Sequence, residues 1–169
     1  MPTHEEIIRL LDLQPLPHEG GWYRETYRSP LQLPVDVLAP RYSAARSGGT
    51  AIYYLLTPDT FSALHRLPTD EIFHFYLGDP VEMLQLGPTP KDGGRVLMLG
   101  SDILAGQQVQ AVVPASVWQG SVLRLGGAFA LMGTTMTPGF DFADYEAADR
   151  DALSAAFPDF AEQIARLCR

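Results

Sequence analysis

The sequence predicts a mainly β protein, an antiparallel sandwich or barrel, with one short helix before it and two after. Three observations carry that prediction. Between Thr50 and Phe140, short segments rich in β-branched and aromatic residues follow one another. Gly, Pro and Asp turn chemistry separates them. No helical stretch lies between them, which argues against βαβ units.

Taken in order, the chain begins with Thr3 followed by Glu6, the pattern of a capping box, and Ile7, Ile8, Leu10 and Leu11 then share one helical stripe. This predicts a helix over residues 4–12, stopped by Pro15 and Pro17. In "HEGGWYRETY", Glu19, Gly20 and Gly21 read as a turn. Trp22, Arg24 and Thr26 then alternate with Tyr23, Glu25 and Tyr27 as in a strand charged on both faces. The proline-interrupted "SPLQLPVDVLAPRYSAARSGG" has no clean period and reads as an irregular arm, mobile near Ser47, Gly48 and Gly49. Eight strand candidates follow: "TAIYYLLT", "FSALHRL", "EIFHFYLG", "VEMLQLG", "RVLMLGS", "QVQAVVP", "SVWQGSVLRLG" and "AFALMGTTMT". After "TPGFDF", apolar residues return at three and four spacing in "ADRDALSAAF" and "DFAEQIARLC", which predicts two helices. The organisation expected is a single domain over 1–169: helix and arm over 1–49, barrel over 50–140, helices over 141–169.

Composition narrows the partners. Acidic residues exceed basic ones by 20 to 12, a net charge of -8, and that balance repels phosphate backbones and anionic lipid heads. Neither nucleic acid nor membrane is an expected partner. The one cysteine, Cys168, permits no internal disulfide and no thiolate metal cluster, which suits a reducing cytoplasm. The start "MPTHEEIIRLLDL" is charged and amphipathic, unlike a secretory signal, so a cytoplasmic location is expected.

Strand alternation singles out two residues. Phe61, Ala63, His65 and Leu67 share one side of their strand; after the turn "LPTD", Glu71, Phe73 and Phe75 share one side of the next. A histidine and a carboxylate inside an apolar barrel are costly unless they pair, bind a metal or meet a polar ligand.

The stretch "HRLPTDEIFHFYLG" resembles the first cupin motif, with His65, Glu71 and Gly78 in register, and "GQQVQAVVPASVWQG" resembles the second, with Gly106 and Pro114 in register. The whole chain is similar to a family of uncharacterised small cupins. Its hallmark segments stand here as "HEGGWYRETYRS", "TAIYYLLT", "HRLPTDEIFHFYLGDP", "VVPASVWQG" and "TPGFDFADYE". The resemblance implies a cupin-type double-stranded β-helix, a jelly-roll barrel, with its site inside. It also implies that "HEGGWYRETY" is an N-terminal strand lining the pocket and reaching a partner subunit.

Departures from the motifs decide the chemistry. A cupin metal site uses two histidines and the glutamate of the first motif and a histidine of the second. Here Leu67 replaces one histidine, Gln119 another, and Ser116 the glycine of the second motif. Leu67 cannot ligate and an amide oxygen is a weak ligand, so no metal is expected; the alternative is a divalent metal on His65, Glu71 and Gln119. His65 and Glu71 are the candidate catalytic acid and base. The candidate ligand-binding residues are Gln119, Phe73 and Phe75 as apolar walls, Arg24 and Glu25 on the cavity or its rim, and His74 if a β-bulge turns it inward. For Arg24 and Glu25 the other reading is a surface ion pair; for His74 it is a histidine on the outer face bonded to a neighbouring element.

The expected function is binding of a small polar or ring-containing metabolite in the barrel, with isomerase- or epimerase-like chemistry. The alternatives are a non-catalytic binding protein and a metal-dependent enzyme. A homodimer is expected from the open sheet edges and the habit of similar cupins.

Overall fold

The computed structural model describes residues 2–168. Helix α1 (His4–Leu10) starts at the capping box read from sequence: Thr3 Oγ1 accepts from the Glu6 amide at 3.3 Å, and the Thr3 amide donates to Glu6 Oε2 at 2.8 Å. Strands β1 (Gln14–Pro15), β2 (Trp22–Arg28), β3 (Gln32–Leu33) and β4 (Arg46–Ser47) precede the barrel. Each of the eight candidate segments then forms a strand. They are β5 (Thr50–Leu56), β6 (Phe61–Arg66), β7 (Glu71–Gly78), β8 (Val81–Leu86), β9 (Gly94–Leu99), β10 (Gln110–Val113), β11 (Trp118–Leu123) and β12 (Ala130–Met136). The short β13 (Glu146–Ala147) leads to α2 (Arg150–Ala156) and α3 (Ala161–Leu167).

Two sheets face each other. One runs β1-β2-β5-β12-β7-β10 and the other β13-β6-β11-β8-β9, all paired antiparallel. The first barrel strand pairs with the last, the second with the next to last, and so inward, which is the double Greek key of a jelly roll. Alternation fills the space between the sheets with Tyr54, Leu56, Phe73, Phe75, Met83 and Met132. The outer face of the five-stranded sheet is covered by the last two helices, where Leu153, Phe157 and Ile164 meet Leu64, Leu84 and Trp118. Trp118 thus faces away from the barrel, as parity requires. The first helix lays Ile7 against Leu55 and Phe129 on the outside of the six-stranded sheet. Among the described residues no helix is long and apolar enough to cross a membrane.

Among the described residues three register shifts interrupt the ladders; one lies in β7 at the β12 contact, between the pairs Met132↔Phe75 and Leu131↔Leu77, and the other two re-aim side chains near the cavity. Between β11 and β6 the pairing steps from Gln119↔His65 to Ser121↔Ser62, so β6 carries one extra residue. Ser62 and His65 therefore share the interior side and Phe61 joins the helix-facing cluster, which corrects the face predicted for Phe61. Between β2 and β5 the pairing steps from Glu25↔Ile52 to Tyr27↔Ala51, so the extra residue lies in β2. It places Arg28 on the side of Tyr23 and Glu25.

The arm is anchored, where the sequence reading expected mobility at Ser47. Ser47 is buried, and Arg46, also buried, donates through Nε to Asp144 Oδ2 at 2.8 Å and through Nη1 to the carbonyls of Ala44 and Ala45. Tyr42 packs beneath this guanidinium and bonds Thr69 at 2.6 Å. Removing one partner of a buried ion pair strands the other charge, so Asp144→Ala is expected to cost about 3 kcal/mol or more in urea unfolding.

The turn at Gly20 and Gly21 also has a steric cause. Gly21 has φ +73°, and a Cβ there would lie 2.9 Å from the Tyr54 ring. Gly126 has φ +87° with nothing within 4 Å of such a Cβ. Gly126→Ala should cost roughly 1 kcal/mol of backbone strain, and Gly21→Ala measurably more in the same unfolding assay, because only there does a ring have to move.

Candidate functional site

The site is built around the extra residue in β6. Because the ladder is interrupted there, the Ala63 amide is free to donate to the Glu19 carbonyl at 2.8 Å, and the Ala63 carbonyl accepts from His65 Nδ1 at 2.7 Å. Ser62 Oγ, turned inward by the same bulge, donates to Glu19 Oε1 at 2.8 Å. Tyr54 donates its hydroxyl to the Gly20 carbonyl at 2.9 Å. These bonds dock the Glu19–Gly20–Gly21 turn against the barrel end, with the Glu19 side chain pointing in.

Glu71 enters from β7. Gln119 Nε2 donates to its Oε2 at 2.6 Å, and Thr134 supplies a second hydrogen bond. His65, Glu71 and Gln119 are all buried, and Gln119 lies directly across from His65 in the sheet. The three groups are neighbours, but they do not share the cavity as the sequence reading expected. Only Glu71 of the three lines the open space; His65 and Gln119 stand behind it. The imidazole stacks on Tyr145 at 4.9 Å between ring centres, and its Nε2 lies 3.8 Å from Glu19 Oε2.

The open space is a cavity of about 270 Å³ between the sheets. Glu19, Tyr54, Glu71 and Thr134 supply its polar surface, and Leu16, Tyr23, Ile52, Leu67 and Met136 its apolar walls. At the mouth stand Glu25, Arg28, Phe140 and Phe142, with the two phenylalanine rings edge to face at 5.0 Å. Arg28 is clasped by Glu25, Nε to Oε1 at 2.9 Å and Nη2 to Oε2 at 2.7 Å, and also reaches the Phe140 carbonyl at 3.2 Å.

Several expectations are corrected. Phe73 and Phe75 face inward but pack into the core beside Met132; the aromatic walls of the cavity are Tyr23, Tyr54, Phe140 and Phe142. Arg24 faces outward over the Tyr53 ring, 5.5 Å from its centre, because it alternates with Tyr23 and Glu25. His74 lies on the outer face, where Thr135 Oγ1 meets Nε2 at 3.0 Å and Gln110 Nε2 meets Nδ1 at 3.2 Å. The bulge that β7 does carry falls after Phe75 and so leaves His74 on the outer face. Glu25 does reach the cavity mouth. The residues missed from sequence are Glu19, read there as part of a turn, and Arg28, whose side depends on a bulge that alternation does not reveal. The two glycines after Glu19 were the available sign that this turn is pressed against something.

The donor set does not fit a cupin metal centre. Leu67 offers no ligand atom and Gln119 turns Nε2 toward Glu71, so two of the four cupin ligand positions supply no strong donor. Among the described residues no three His, Cys, Asp or Glu side chains are grouped to hold an ion.

Burial sets the protonation states. It pushes Glu19 up from 4.5 to about 7, opposed by the bond from Ser62 and by the nearby Tyr54 hydroxyl, whose proton goes to the Gly20 carbonyl. It also raises Glu71, helped by the charge of Glu19 and opposed by His65, Thr134 and Gln119. His65 is lowered by the same burial and is neutral near pH 7, opposed by its bond to Ala63 and the charge of Glu71.

A jelly roll with its polar groups gathered inside one end of the barrel is the architecture of a cupin. A cupin-superfamily model (DUF985) matches residues 5–148, and the chain belongs to that family. It is 32% identical over 162 residues to YML079W, an uncharacterized protein of Saccharomyces cerevisiae, covering 86% of this chain and 77% of that one. Two solved structures are close in shape: a hypothetical protein from Leishmania major and protein SO0799 from Shewanella oneidensis. The first has 29% identity and a TM-score of 0.86, covering 99% of each chain. The second has 32% identity and a TM-score of 0.84, covering 100% of this chain and 99% of that one.

The raised acid makes stability depend on pH. A carboxyl whose pKa rises on folding stabilises the native state fully below its ordinary value of 4.5, and that contribution is lost as pH climbs through about 7. The span corresponds to roughly 3 kcal/mol. Glu19→Gln, a neutral isostere, should match the parent in urea unfolding at about pH 4 and exceed it in stability at about pH 8, with any remaining slope due to Glu71.

Proposed function

We propose that the barrel binds one small, ring-containing molecule and moves protons on it, in the manner of an isomerase or epimerase. The observation that carries this reading is the pair Glu19 and Glu71. They come from separate segments, face one enclosed cavity, and are backed by a neutral buried imidazole. Burial of this kind serves no packing purpose; it does serve acid–base chemistry, which works best with a group whose pKa lies near the working pH.

The roles follow from the contacts. Glu71, held by Gln119 and Thr134, is the base that takes a proton from a carbon of the ligand. The same carboxyl returns the proton to a neighbouring atom of the ligand, while Glu19 holds a polar group of the ligand from the other side. His65, with Nε2 3.8 Å from Glu19 Oε2, is a positioning residue, whereas the sequence reading gave it direct contact with substrate. The aromatic walls hold a ring, and the Glu25–Arg28 pair with Phe140 and Phe142 narrows the entrance. This scheme routes no step through a metal.

The test is solvent exchange. A panel of cyclic sugars, polyols and amino-bearing rings is incubated with the protein in deuterated water and followed by NMR and mass spectrometry. One class is expected to bind and to acquire carbon-bound deuterium, and Glu71→Gln should slow that exchange by about 100-fold or more at saturating ligand. Binding without exchange in the parent protein would make it a non-catalytic binding module, and absence of any binding would defeat the reading of the barrel as a ligand site.

A further inference from the structure

Resting on the barrel as the ligand site, we infer that its ligand is an organic cation: a ring carrying an amine or amidine, whose nitrogen sits between Glu19 and Glu71.

The argument is a count of charges on the cavity surface. Three carboxyl groups face it, those of Glu19, Glu25 and Glu71, and one cation, Arg28. Arg28 is already committed, with two hydrogen bonds to Glu25 and one to the Phe140 carbonyl, so the mouth is neutral as a unit. Behind it, Glu19 and Glu71 meet no lysine or arginine among the described lining residues, and the nearby His65 is neutral. Their bonds come from neutral donors, Ser62 for one and Gln119 for the other. A carboxylate so placed lacks a countercharge, and a ligand can supply it.

The three classes of ligand fare differently. An anion, such as the phosphate of a sugar nucleotide, would meet two buried acids and find Arg28 engaged; like charges in a dry site repel strongly. A neutral polyol would bond to the acids without relieving their burial. A cation forms charge-assisted hydrogen bonds with both, which are about twice as strong as neutral ones. The walls favour it too, because Tyr23, Tyr54, Phe140 and Phe142 line the cavity and an aromatic ring attracts a positive group over its face. The net charge of -8 draws cations toward the protein as a whole. A bare metal ion is served poorly, for want of a third clustered donor.

The experiment uses three matched probes, cyclohexylamine, cyclohexanol and cyclohexanecarboxylate, titrated into the intact protein and read by ligand-observed NMR and calorimetry. The amine should bind about tenfold or more tightly than either partner. Its affinity should rise from about pH 6 to about pH 8, because Glu19 must give up its proton to receive it, and calorimetry in buffers of different ionisation heat should show proton release. Glu19→Gln should flatten that pH dependence to the part Glu71 leaves, and Glu71→Gln should weaken the amine about tenfold and the alcohol by clearly less. If the alcohol or the carboxylate binds as well as the amine, or if binding takes up protons, the cation assignment is overturned while the barrel remains a ligand site. If none of the three binds while a neutral or anionic ring of the wider panel does, the cation assignment falls alone; if nothing in either set binds, the barrel as a ligand site falls with it.

Discussion

The site depends on one extra residue in a strand. In an unbroken ladder Ala63 would spend its amide and carbonyl on neighbouring strands. The register shift opposite Gln119 and Ser121 releases both, and they are taken by the Glu19 carbonyl and the His65 ring. The same shift turns Ser62 inward to meet the Glu19 carboxyl. One local irregularity thus fixes the entry of the N-terminal turn, the tautomer and orientation of the histidine, and a hydrogen bond to the buried acid. Bulges re-aim side chains at functional sites in this way because the strand around them remains rigid.

Placing acids inside a barrel works against stability, and the surroundings limit the cost without cancelling it. Each carboxyl has hydrogen-bond donors, yet neither has a cation, so burial is met largely by holding on to a proton. The neutral imidazole beside them fits the same pattern: its Nδ1 proton is fixed by Ala63, and its Nε2 lone pair is left toward Glu19. The three groups share few protons beside a cavity whose mouth carries Phe140, Phe142 and the Glu25–Arg28 pair.

Much of this was legible in the sequence. The eight barrel strands follow from alternation and turn chemistry, the first helix from its capping box, and the nearness of His65, Glu71 and Gln119 from parity and motif register. What escaped was set by tertiary pairing. Arg28 reaches the cavity because β2 gains a residue at the β5 contact, and nothing in "WYRETYR" marks where. Phe73 shares the interior face with Glu71, yet depth along the barrel decides that it packs and does not line, and parity carries no information on depth. Glu19 lay in a stretch read as a turn; its direction is set by Ala63 and Tyr54, far away in sequence.

The departures from the cupin motifs then form a consistent set. Where a metal would neutralise a buried glutamate, a leucine at position 67 and an amide at position 119 supply no such partner. The leucine becomes apolar wall, and the glutamine, turned with its N–H groups toward Glu71, becomes a donor that holds the carboxylate in place. The charge a metal would have met passes to protons and, on the cation assignment, to the ligand itself. Restoring histidines at 67 and 119 would bring back the residue types and still leave the Glu19 carboxyl beside the imidazole, competing for it. The N-terminal turn adds a further difference to the two missing ligands: it sets the Glu19 carboxyl 3.8 Å from His65 Nε2, and the architecture of β6 is bent to receive it.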